Sequence, residues 1–381
     1  MEKILNQQTK TPAHKKIYFI TRLKIPKNTA YSNNILKVIE AFHVIGRSPT
    51  LVARGRNIFS QKNSLDVSSI KQETGAECVL TSNSNILFYI SVFVYALTLK
   101  KKDHAIYTRD PELAFLFQLV GFECACHIHG VFSPGFLTLL KWLALRFGTF
   151  DLHFVSNGLA QNFKENINLK NHEIFISRNG VINKKYSADL NPQPPELIKE
   201  GAGPVCTFAG SLYRGRGSDL LISLAQHNPS VQFHVLGTYE NVDKKNILEK
   251  LPNLHLHGYR SATDVRCWLV HSDILLMPYE NIVYTSGGQG HSSAIIGPIK
   301  MFEYLAANQV IISSDLPGLR EVLNEKNAVL VKSFNVEEWS KALVLALSSE
   351  SAIKSLRNEA KKTSLLYDLP LILSSICEKL D

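Results

Sequence analysis

The sequence lacks several features that mark specialised classes of protein. Its 381 residues include six cysteines, none spaced as CxxC, so we expect reduced thiols in a cytoplasmic compartment and no disulfide framework. The opening stretch MEKILNQQTKTPAHKK has no apolar segment that ends in a small-residue cleavage site, which argues against secretion. Together with a charged content of 20%, these absences favour a soluble globular protein.

Long hydrophobic runs are also missing. The longest, ILFYISVFVYALTL (Ile86–Leu99), is several residues too short to span a bilayer as a helix. A buried helix is the simpler interpretation. A membrane-surface element is the alternative, because Lys100, Lys101 and Lys102 follow directly.

Positive charge is concentrated in the first half of the chain. Residues 1–185 contain 24 lysines and arginines against 12 aspartates and glutamates, a net charge of +12. Residues 186–381 contain 18 against 21, a net charge of −3. This bias indicates an anionic partner for the first half, such as a membrane surface, a phosphorylated lipid or a nucleic acid. Solvated lysine-rich surfaces are the simpler alternative, but they would not require an acidic second half.

What the sequence does contain is an alternation of short apolar runs and helical segments, which predicts parallel sheets with crossover helices. The chain length favours two domains, each of the doubly wound α/β class. Three helical segments of the first half end in glycine, which suits a left-handed C-cap. The predicted strands are KIYFIT, TLVAR, CVL, AIYT, ECACHIH, HFVS and IFIS, then VCTFAG, VQFHVLG, LHLHG, DILLMPY, VIISSD and AVLV.

A proline-rich segment separates the two alternating regions. YSADLNPQPPELIKEGAGP contains four prolines and two glycines and is a linker by composition. We therefore predict a first domain over residues 1–186, a linker over 187–203 and a second domain over 204–360. The last segment, residues 361–381, would pack back against the first domain. Because ligands bind open α/β sheets beyond the carboxyl ends of their strands, functional residues are sought in the loops there.

The first candidate motif is TFAGSLYRGRGSDLL (Thr207–Leu221). A strand ends at Gly210, a turn carries Arg214 and Arg216, and a helix begins near Gly217 or Ser218. Free N–H groups at a helix start and nearby guanidinium groups suit a phosphate, although a surface turn with solvated arginines has a similar composition.

The second motif is SGGQGHSSAIIGPIKMFEYLAANQVIISSD (Ser286–Asp315). A glycine-rich loop leads to Gly297 and Pro298, with the proline suited to the first helical position. Lys300 in the first turn opposes the helix dipole, which is explained if an anion binds beside it. Glu303 would then lie next to a phosphate site, where a carboxylate can accept both hydroxyls of a ribose.

The stretch GFECACHIHG places two cysteines and two histidines within six positions. A strand alternates its side chains, so Cys124 and Cys126 face one way while His127 and His129 face the other. The four cannot converge on one tetrahedral zinc. We predict that the cysteines and His127 are buried, and that His129, at the strand's carboxyl end, reaches the cleft.

Two further polar residues follow strands of the first half. Arg109 comes after AIYT, and two interpretations of it are equally supported. Either it lines the cleft, or its guanidinium is fully hydrogen-bonded within the fold beside a helix that starts with Asp-Pro. Asn179 precedes Gly180, a pair typical of a turn.

Six segments of the chain, in their order along the sequence, resemble those of family-4 glycosyltransferases with the GT-B fold. The resemblance extends over nearly the whole chain. GSLYRGRG is similar to the family's phosphate loop and GPIKMFEYLA to its donor helix, while YTRDPELAFLF, HIHG, FVSNGLA and ISRNGV are similar to its first-domain segments. The resemblance implies retaining transfer from a nucleotide sugar to a glycan or lipid-linked acceptor in cell-surface polysaccharide synthesis. We expect no nucleic-acid partner, and a cytoplasmic location with peripheral contact to an anionic inner membrane.

The resemblance also assigns roles to residues of this sequence. It implies that Glu303 binds the ribose, that Arg216 and Lys300 bind the leaving diphosphate, and that His129 positions the donor sugar. Arg109 and Asn179 would line the acceptor side. No Asp-x-Asp pair follows a convincing strand, so neither a catalytic metal nor another cofactor is expected. The remaining donor-side residues are Gly210, Ser211, Arg214, His291, Gly297 and Pro298.

Two departures from the family pattern leave an alternative open. Ser211 stands where the family commonly has an arginine, so Arg214 is expected to share the phosphate role. Ile295 stands where the family's first glutamate would be, and the missing contact would come from the backbone of 286–293 or from His291. A GT-B-fold binding or scaffold protein without turnover is therefore the second functional class.

Overall fold

The computed structural model describes residues 14–24, 30–54, 70–72, 74–82, 84–132, 135–186, 203–239, 250–284 and 290–381. Apart from Gly203, the predicted linker lies outside these residues.

The first sheet has seven strands, all parallel. They are β1 (Lys16–Lys24), β2 (Thr50–Arg54), β3 (Glu77–Thr81), β4 (His104–Thr108), β5 (Glu123–Ile128), β6 (Asp151–Phe154) and β7 (Ile174–Ile176). Their order is β3-β2-β1-β4-β5-β6-β7. The direction of progression reverses between β1 and β4, so a crevice is expected beyond the carboxyl ends of these two strands.

Helices cover both faces of this sheet, which is why most of its strand residues are buried and apolar. The helices of the first half are α1 (Ala30–Val44), α2 (Asn85–Thr98), α3 (Pro111–Val120), α4 (Phe136–Phe147) and α5 (Asn157–Asn166). Helices α2 to α5 share one core with the sheet, and α1 packs on the opposite face.

The predicted glycine C-caps are correct in part. Gly121 ends α3 in the left-handed conformation, with φ +95°. Gly148 after α4 has φ −73°, so a left-handed cap is wrong there. A Cβ at Gly148 would lie 2.6 Å from the carbonyl oxygen of Ala144, and this close approach explains the glycine instead.

The second sheet has six parallel strands, with a separate antiparallel hairpin beside it. The sheet strands are β8 (Val205–Ala209), β9 (Gln232–Leu236), β10 (Leu254–Gly258), β11 (Ile274–Met277), β14 (Val310–Ser314) and β15 (Val329–Val331), and the hairpin pairs β12 (Ile282–Tyr284) with β13 (Gly290–Ser292). The order is β10-β9-β8-β11-β14-β15, which reverses between β8 and β11. All the strands predicted for both halves occur. The hairpin was not predicted, because residues 286–293 were interpreted as a flexible loop.

The second half contributes seven helices within the described residues. They are α6 (Ser218–His227), α7 (Ala262–His271), α8 (Ile299–Ala307), α9 (Pro317–Arg320), α10 (Val336–Ser348), α11 (Glu350–Leu366) and α12 (Leu369–Leu380). The last of these, α12, packs with α1 on the first sheet, where Leu373 and Ile376 join its core. None of the described helices has the length and apolar content that crossing a bilayer requires.

The two sheet domains contact each other at the start of α5. Glu321, which follows α9, accepts hydrogen bonds from the N–H groups of Asn157 and Gly158, each at 2.9 Å, and from Arg178 Nη2 at 2.8 Å. A carboxylate at a helix N-terminus is favourable because the exposed N–H groups carry partial positive charge. A second-domain residue thus takes the position of a cap on a first-domain helix.

Candidate functional site

The turn after β8 is held close to β9 by glycines. Gly210 has φ +134°, and its N–H donates to the carbonyl of Leu236 at 2.7 Å. A Cβ on Gly237 would lie 2.1 Å from the carbonyl oxygen of Gly210, so only glycine fits there. A Cβ on Gly210 would lie 3.5 Å from Lys300 Nζ, so the turn lies directly beside that cation. The turn ends at Gly217, the N-cap of α6, so the helix begins at Ser218, within the predicted range.

The two arginines of this turn have different surroundings. Arg216 Nη1 donates to the carbonyl of Ser211 at 3.3 Å, while its buried Nε has no partner among the described residues. The Arg214 guanidinium lies 4.9 Å from the ring centroid of Tyr284 on β12. Arg216 therefore retains a free hydrogen-bonding group in the turn, whereas Arg214 stacks on the hairpin.

Lys300, in the first turn of α8, is a buried cation whose Nζ has no hydrogen-bond partner in the part of the chain that the structure describes. Its ammonium lies 3.6 Å from the ring centroid of Phe208 and 4.7 Å from that of Tyr279. Burial lowers the pKa of Lys300 well below its ordinary value, and the charge of Arg216 lowers it further while Glu303 opposes the shift. Burying an ammonium group without an acceptor is unfavourable, so an anion would improve this arrangement.

Glu303, one turn further along α8, makes an ion pair across the cleft. Its Oε1 accepts a hydrogen bond from Lys37 Nζ at 2.5 Å, and both side chains are 22% exposed. Lys37 belongs to α1 of the first domain. The carboxylate predicted to bind a ribose therefore already has a partner. Sequence reasoning missed Lys37, which has the pattern of an ordinary helix lysine.

The start of α8 is held by the first domain. Asn179 is buried, and its Nδ2 donates to the carbonyl of Gly297 at 2.7 Å. A Cβ on Gly297 would lie 3.1 Å from the carbonyl oxygen of Val155, a close contact for any side chain. Pro298 is the N-cap, and α8 begins at Ile299, so the predicted first helical position for the proline is wrong by one residue.

The position of the missing glutamate is apolar for a structural reason. Ile295 packs against the apolar core of the first sheet, and its carbonyl accepts from Ser156 Oγ at 3.3 Å. A carboxylate at this position would be placed against that core. His291 lies on β13 opposite Val283, and burial lowers its pKa. Residues 286–289, the other suggested source of the missing contact, lie outside the described residues.

The stretch ECACHIHG forms β5 and the residues after it. Cys124 and Cys126 are buried free thiols, as predicted. His127 is also buried: the Tyr107 hydroxyl lies 2.6 Å from its Nδ1, and its Nε2 lies 2.7 Å from the carbonyl oxygen of Ser177. Because a carbonyl only accepts, Nε2 carries the proton and Nδ1 accepts from the tyrosine. This histidine is fully satisfied within the fold.

His129, in contrast, has a buried Nε2 without a partner among the described residues. Its ring centroid lies 4.3 Å from that of His127 and 6.5 Å from that of Tyr31. Burial lowers the pKa of His129 well below its ordinary value, and the charge of Arg109 lowers it further. A neutral imidazole with an unused nitrogen is therefore present where β5 ends.

Arg109 and Asp110 lie between β4 and α3, on the first-domain side. Arg109 is buried and donates from Nη2 to Asn34 Oδ1 at 2.6 Å, but its Nε and Nη1 have no partner within the described residues. Its guanidinium also lies 5.2 Å from the ring centroid of Tyr31, so a structural role and a role at the cleft both stay predictions. Asp110 is the N-cap residue of α3, as the Asp-Pro start indicates, yet its side chain accepts from Arg22 Nε at 2.9 Å and not from the helix.

Sequence reasoning also missed a buried carboxylate beside this pair. Glu112 accepts from the Tyr89 hydroxyl at 2.9 Å. Burial and the neighbouring Asp110 raise the pKa of Glu112 to about 7. Lys141 Nζ lies 3.7 Å from Asp110 Oδ1. The i, i+2 spacing of the two acids was visible in the sequence, but their partners come from distant elements.

Over the described ranges, no three histidine, cysteine, aspartate or glutamate side chains are grouped so as to hold a metal ion. The expected absence of a metal stays a prediction.

The second half of the chain is similar to a known protein family. Residues 203–349 match the family described as glycosyl transferases group 1. TuaH of Bacillus subtilis strain 168, named as a teichuronic acid biosynthesis glycosyltransferase, is 23% identical over 166 residues. This match covers 43% of the chain and only 40% of TuaH.

Solved structures match nearly the whole chain. HepE of Anabaena, in complex with UDP and glucose, matches with a TM-score of 0.68 at 14% identity. The match covers 96% of this chain and 99% of the HepE chain. A Rickettsia africae glycosyltransferase has a TM-score of 0.71 at 14% identity, covering 96% and 98%. S. aureus TarM, in complex with fondaparinux, α-GlcNAc-glycerol and UDP, has 0.69 at 12% identity, covering 96% and 100%. The predicted GT-B fold is confirmed.

Proposed function

We propose that this chain, whose second domain belongs to the group 1 glycosyltransferases, transfers a sugar from a nucleotide-sugar donor to a glycan or lipid-linked acceptor with retention of configuration. Lys300 carries the proposal. It is a buried cation whose Nζ has no hydrogen-bond acceptor among the described residues, it lies beside Gly210 and Arg216, and it stands at a helix start. A diphosphate would supply the missing negative charge, and the first turns of α6 and α8 would add N–H donors.

The chemistry follows from where charge develops. When the bond between the sugar carbon and the diphosphate oxygen breaks, negative charge grows on the leaving group. Lys300, Arg216 and the two helix starts would stabilise this charge as groups that are in place before the reaction begins, which is the most effective form of electrostatic catalysis. The acceptor oxygen bonds to the same face of the sugar carbon, and its proton passes to the leaving diphosphate.

Further residues around the cleft would contact the donor. Glu303 would accept the ribose hydroxyls once the donor displaces Lys37. His129, whose Nε2 has no partner within the described ranges, would hydrogen-bond the sugar. The turn with Ser211 and Arg214, and His291 on β13, would complete the donor side. Since HepE and TarM were solved with UDP, uridine nucleotides are the first donors to test.

The acceptor side is assigned to the first domain. Two guanidinium nitrogens of Arg109 have no hydrogen-bond partner in the described part of the chain, and Asn179 holds the start of the donor helix in place. The names of TuaH and TarM's bound ligands support an acceptor from cell-surface polysaccharide synthesis. We expect a cytoplasmic enzyme that uses no metal and binds no nucleic acid.

A GT-B-fold binding protein without turnover is the second candidate, favoured only by Ile295. If no member of a panel of nucleotide sugars raises the melting temperature or releases free nucleotide, this alternative gains. The presence of both Lys300 and Glu303 favours the enzyme, because a protein without turnover has no need of a ribose contact.

The first experiment is Glu303→Ala. We expect transfer to fall by roughly 100-fold or more, because the donor loses a positioning contact made only in the cleft. Glu325→Ala is the matched control, since Glu325 also pairs with a cation but is 69% exposed beside Arg320. Circular dichroism should show both variants folded. Wild-type turnover in Glu303→Ala would mean that the site assignment is wrong.

A further inference from the structure

An apolar surface covers the outer sides of α2, α3 and α4. Of the 21 large apolar side chains exposed on the described residues, eleven lie on these three helices. We call this set the apolar face. Its members are Ile86, Leu87, Ile90, Phe93, Val94, Leu97, Leu119, Leu139, Leu140, Leu143 and Phe147.

Helix α2 is apolar on every side. Its inner positions, Phe88, Val92 and Ala96, are fully buried in the core under the first sheet. Its outer positions recur with the helical period, from Ile86 at 73% exposure to Leu97 at 61%. No charged residue occurs between Asn85 and Thr98. A helix of this kind is normally enclosed by protein or in contact with lipid.

The three helices form one continuous surface. They are neighbours on the same face of the sheet, since their inner residues share one core. The end of α3 is joined to the turn after α4 by a hydrogen bond from Gln118 to Thr149. Helix α3, which carries Leu119, contacts both α2 and α4. The resulting patch exceeds the isolated apolar residues of an ordinary protein surface.

Basic residues border this patch. Lys100, Lys101 and Lys102 are exposed directly after α2, and Arg146 is exposed at the end of α4. Lys101 Nζ lies 3.5 Å from the position of a Cβ on Gly121, which places it across the end of α3. The charge is therefore gathered where the three helices end.

We propose that the apolar face rests on an anionic lipid bilayer, with the basic border at the phospholipid headgroups. Apolar side chains beside lysine and arginine are typical of surfaces that lie in the membrane interface. Helix α2, with 14 residues, rises only about 21 Å. This is less than the roughly 30 Å hydrocarbon core, so α2 would lie along the membrane.

A bilayer fits this surface better than a second copy of the chain. In a symmetric dimer formed through this face, the basic border of one copy would lie against the apolar face or the basic border of the other copy. Anionic lipid neutralises the border and accepts the apolar side chains at the same time. Membrane docking does not depend on the proposed transfer. If both hold, docking at the membrane favours a lipid-linked acceptor over a soluble glycan.

The test is flotation of the full chain with vesicles of phosphatidylcholine, alone or with 30% phosphatidylglycerol as a probe of about physiological anionic content. We expect binding to the mixed vesicles that weakens at high salt. Ile90→Glu with Val94→Glu should lower binding by about tenfold or more. Val344→Glu with Leu345→Glu is the control, since these residues of α10 are 64% and 59% exposed but lie on the second domain.

Several results would overturn the proposal. These are no flotation of the wild type, equal flotation of both double variants, or a wild-type dimer that the α2 variant dissociates without any vesicle binding. Circular dichroism checks folding. If the α2 variant is unfolded, Ile86→Ser with Leu87→Ser, at the exposed start of the helix, replaces it, and undiminished flotation of that variant overturns the proposal. Nucleotide binding measured without vesicles separates a failure of docking from a failure of the proposed function.

Discussion

Replacing Lys300 by methionine should strengthen the fold and weaken the donor site at once. Methionine has a similar length and no charge, so it fits between Phe208 and Tyr279 without an unpartnered ammonium. A buried polar group without a partner costs about 1–3 kcal/mol, and its removal should raise the free energy of unfolding within that range. Replacing a binding-site lysine that has a hydrogen-bond partner in the protein would instead lower the free energy of unfolding.

The loss of binding follows from the same geometry. A hydrogen bond between charged partners contributes about 1.5–3 kcal/mol, so the variant should bind UDP about 10- to 150-fold more weakly. The pH dependence has a definite sign. Because the folded pKa of Lys300 lies well below 10.5, the unfolded chain binds more protons in that interval, and wild-type stability rises with pH there. The stability advantage of Lys300→Met should therefore shrink as the pH approaches 10.5.

Calorimetric titration with UDP and urea unfolding at several pH values provide the assay. Titration near pH 9 in buffers of different ionisation enthalpy should show proton uptake by the wild type, because the diphosphate restores the proton on Lys300. Lys354→Met, an exposed lysine of α11, is the control. Equal UDP affinity of Lys300→Met and wild type, or a destabilised variant, would refute the reasoning.

Three other predictions follow from interactions described above. Lys37→Met should tighten UDP binding about two- to fivefold, because the ion pair with Glu303 no longer competes with the ribose; weaker binding in titration would mean that Lys37 contacts the donor. Gly158→Ala would place a Cβ 2.0 Å from the carbonyl oxygen of Ala294, so we expect a loss of about 1–3 kcal/mol in urea unfolding and a larger radius of gyration by X-ray scattering; an unchanged protein would contradict the interdomain contact. Burial lowers the pKa of His153 to about 4, and the unfolded chain, with its ordinary pKa of 6.5, binds the proton first. Stability should thus fall by up to about 3 kcal/mol between pH 6.5 and 4, and His153→Gln should flatten the profile; an equally steep profile in the variant would show that other groups are responsible.

Sequence patterns were sufficient for the parallel sheets. Each predicted strand is a short apolar run, and in a sheet covered on both faces such runs have no other place to be buried. The hairpin β12–β13 escaped prediction because its strands, Ile282–Tyr284 and Gly290–Ser292, are three residues long and mixed in polarity. Patterns of that length carry no periodicity.

The candidate site was predictable where one local motif builds it. The glycine turn after β8 and Lys300 on α8 both follow from spacing and helix electrostatics. Lys37 did not, since its partner Glu303 is 266 positions away and belongs to the other domain. Arg22 pairs with Asp110 within the first domain, at a separation of 88 positions, and was missed because nothing in the local sequence links the two residues. Only the tertiary fold reveals pairs that are so distant in sequence.

The central claim, retaining transfer from a nucleotide sugar, is tested most directly by proton NMR of the full chain with each member of a panel of nucleotide sugars. The account predicts that one donor is consumed, that its nucleoside diphosphate appears, and that the first sugar product keeps the anomeric configuration of the donor. Consumption with the opposite configuration would contradict retention, and no consumption of any donor would contradict the enzyme.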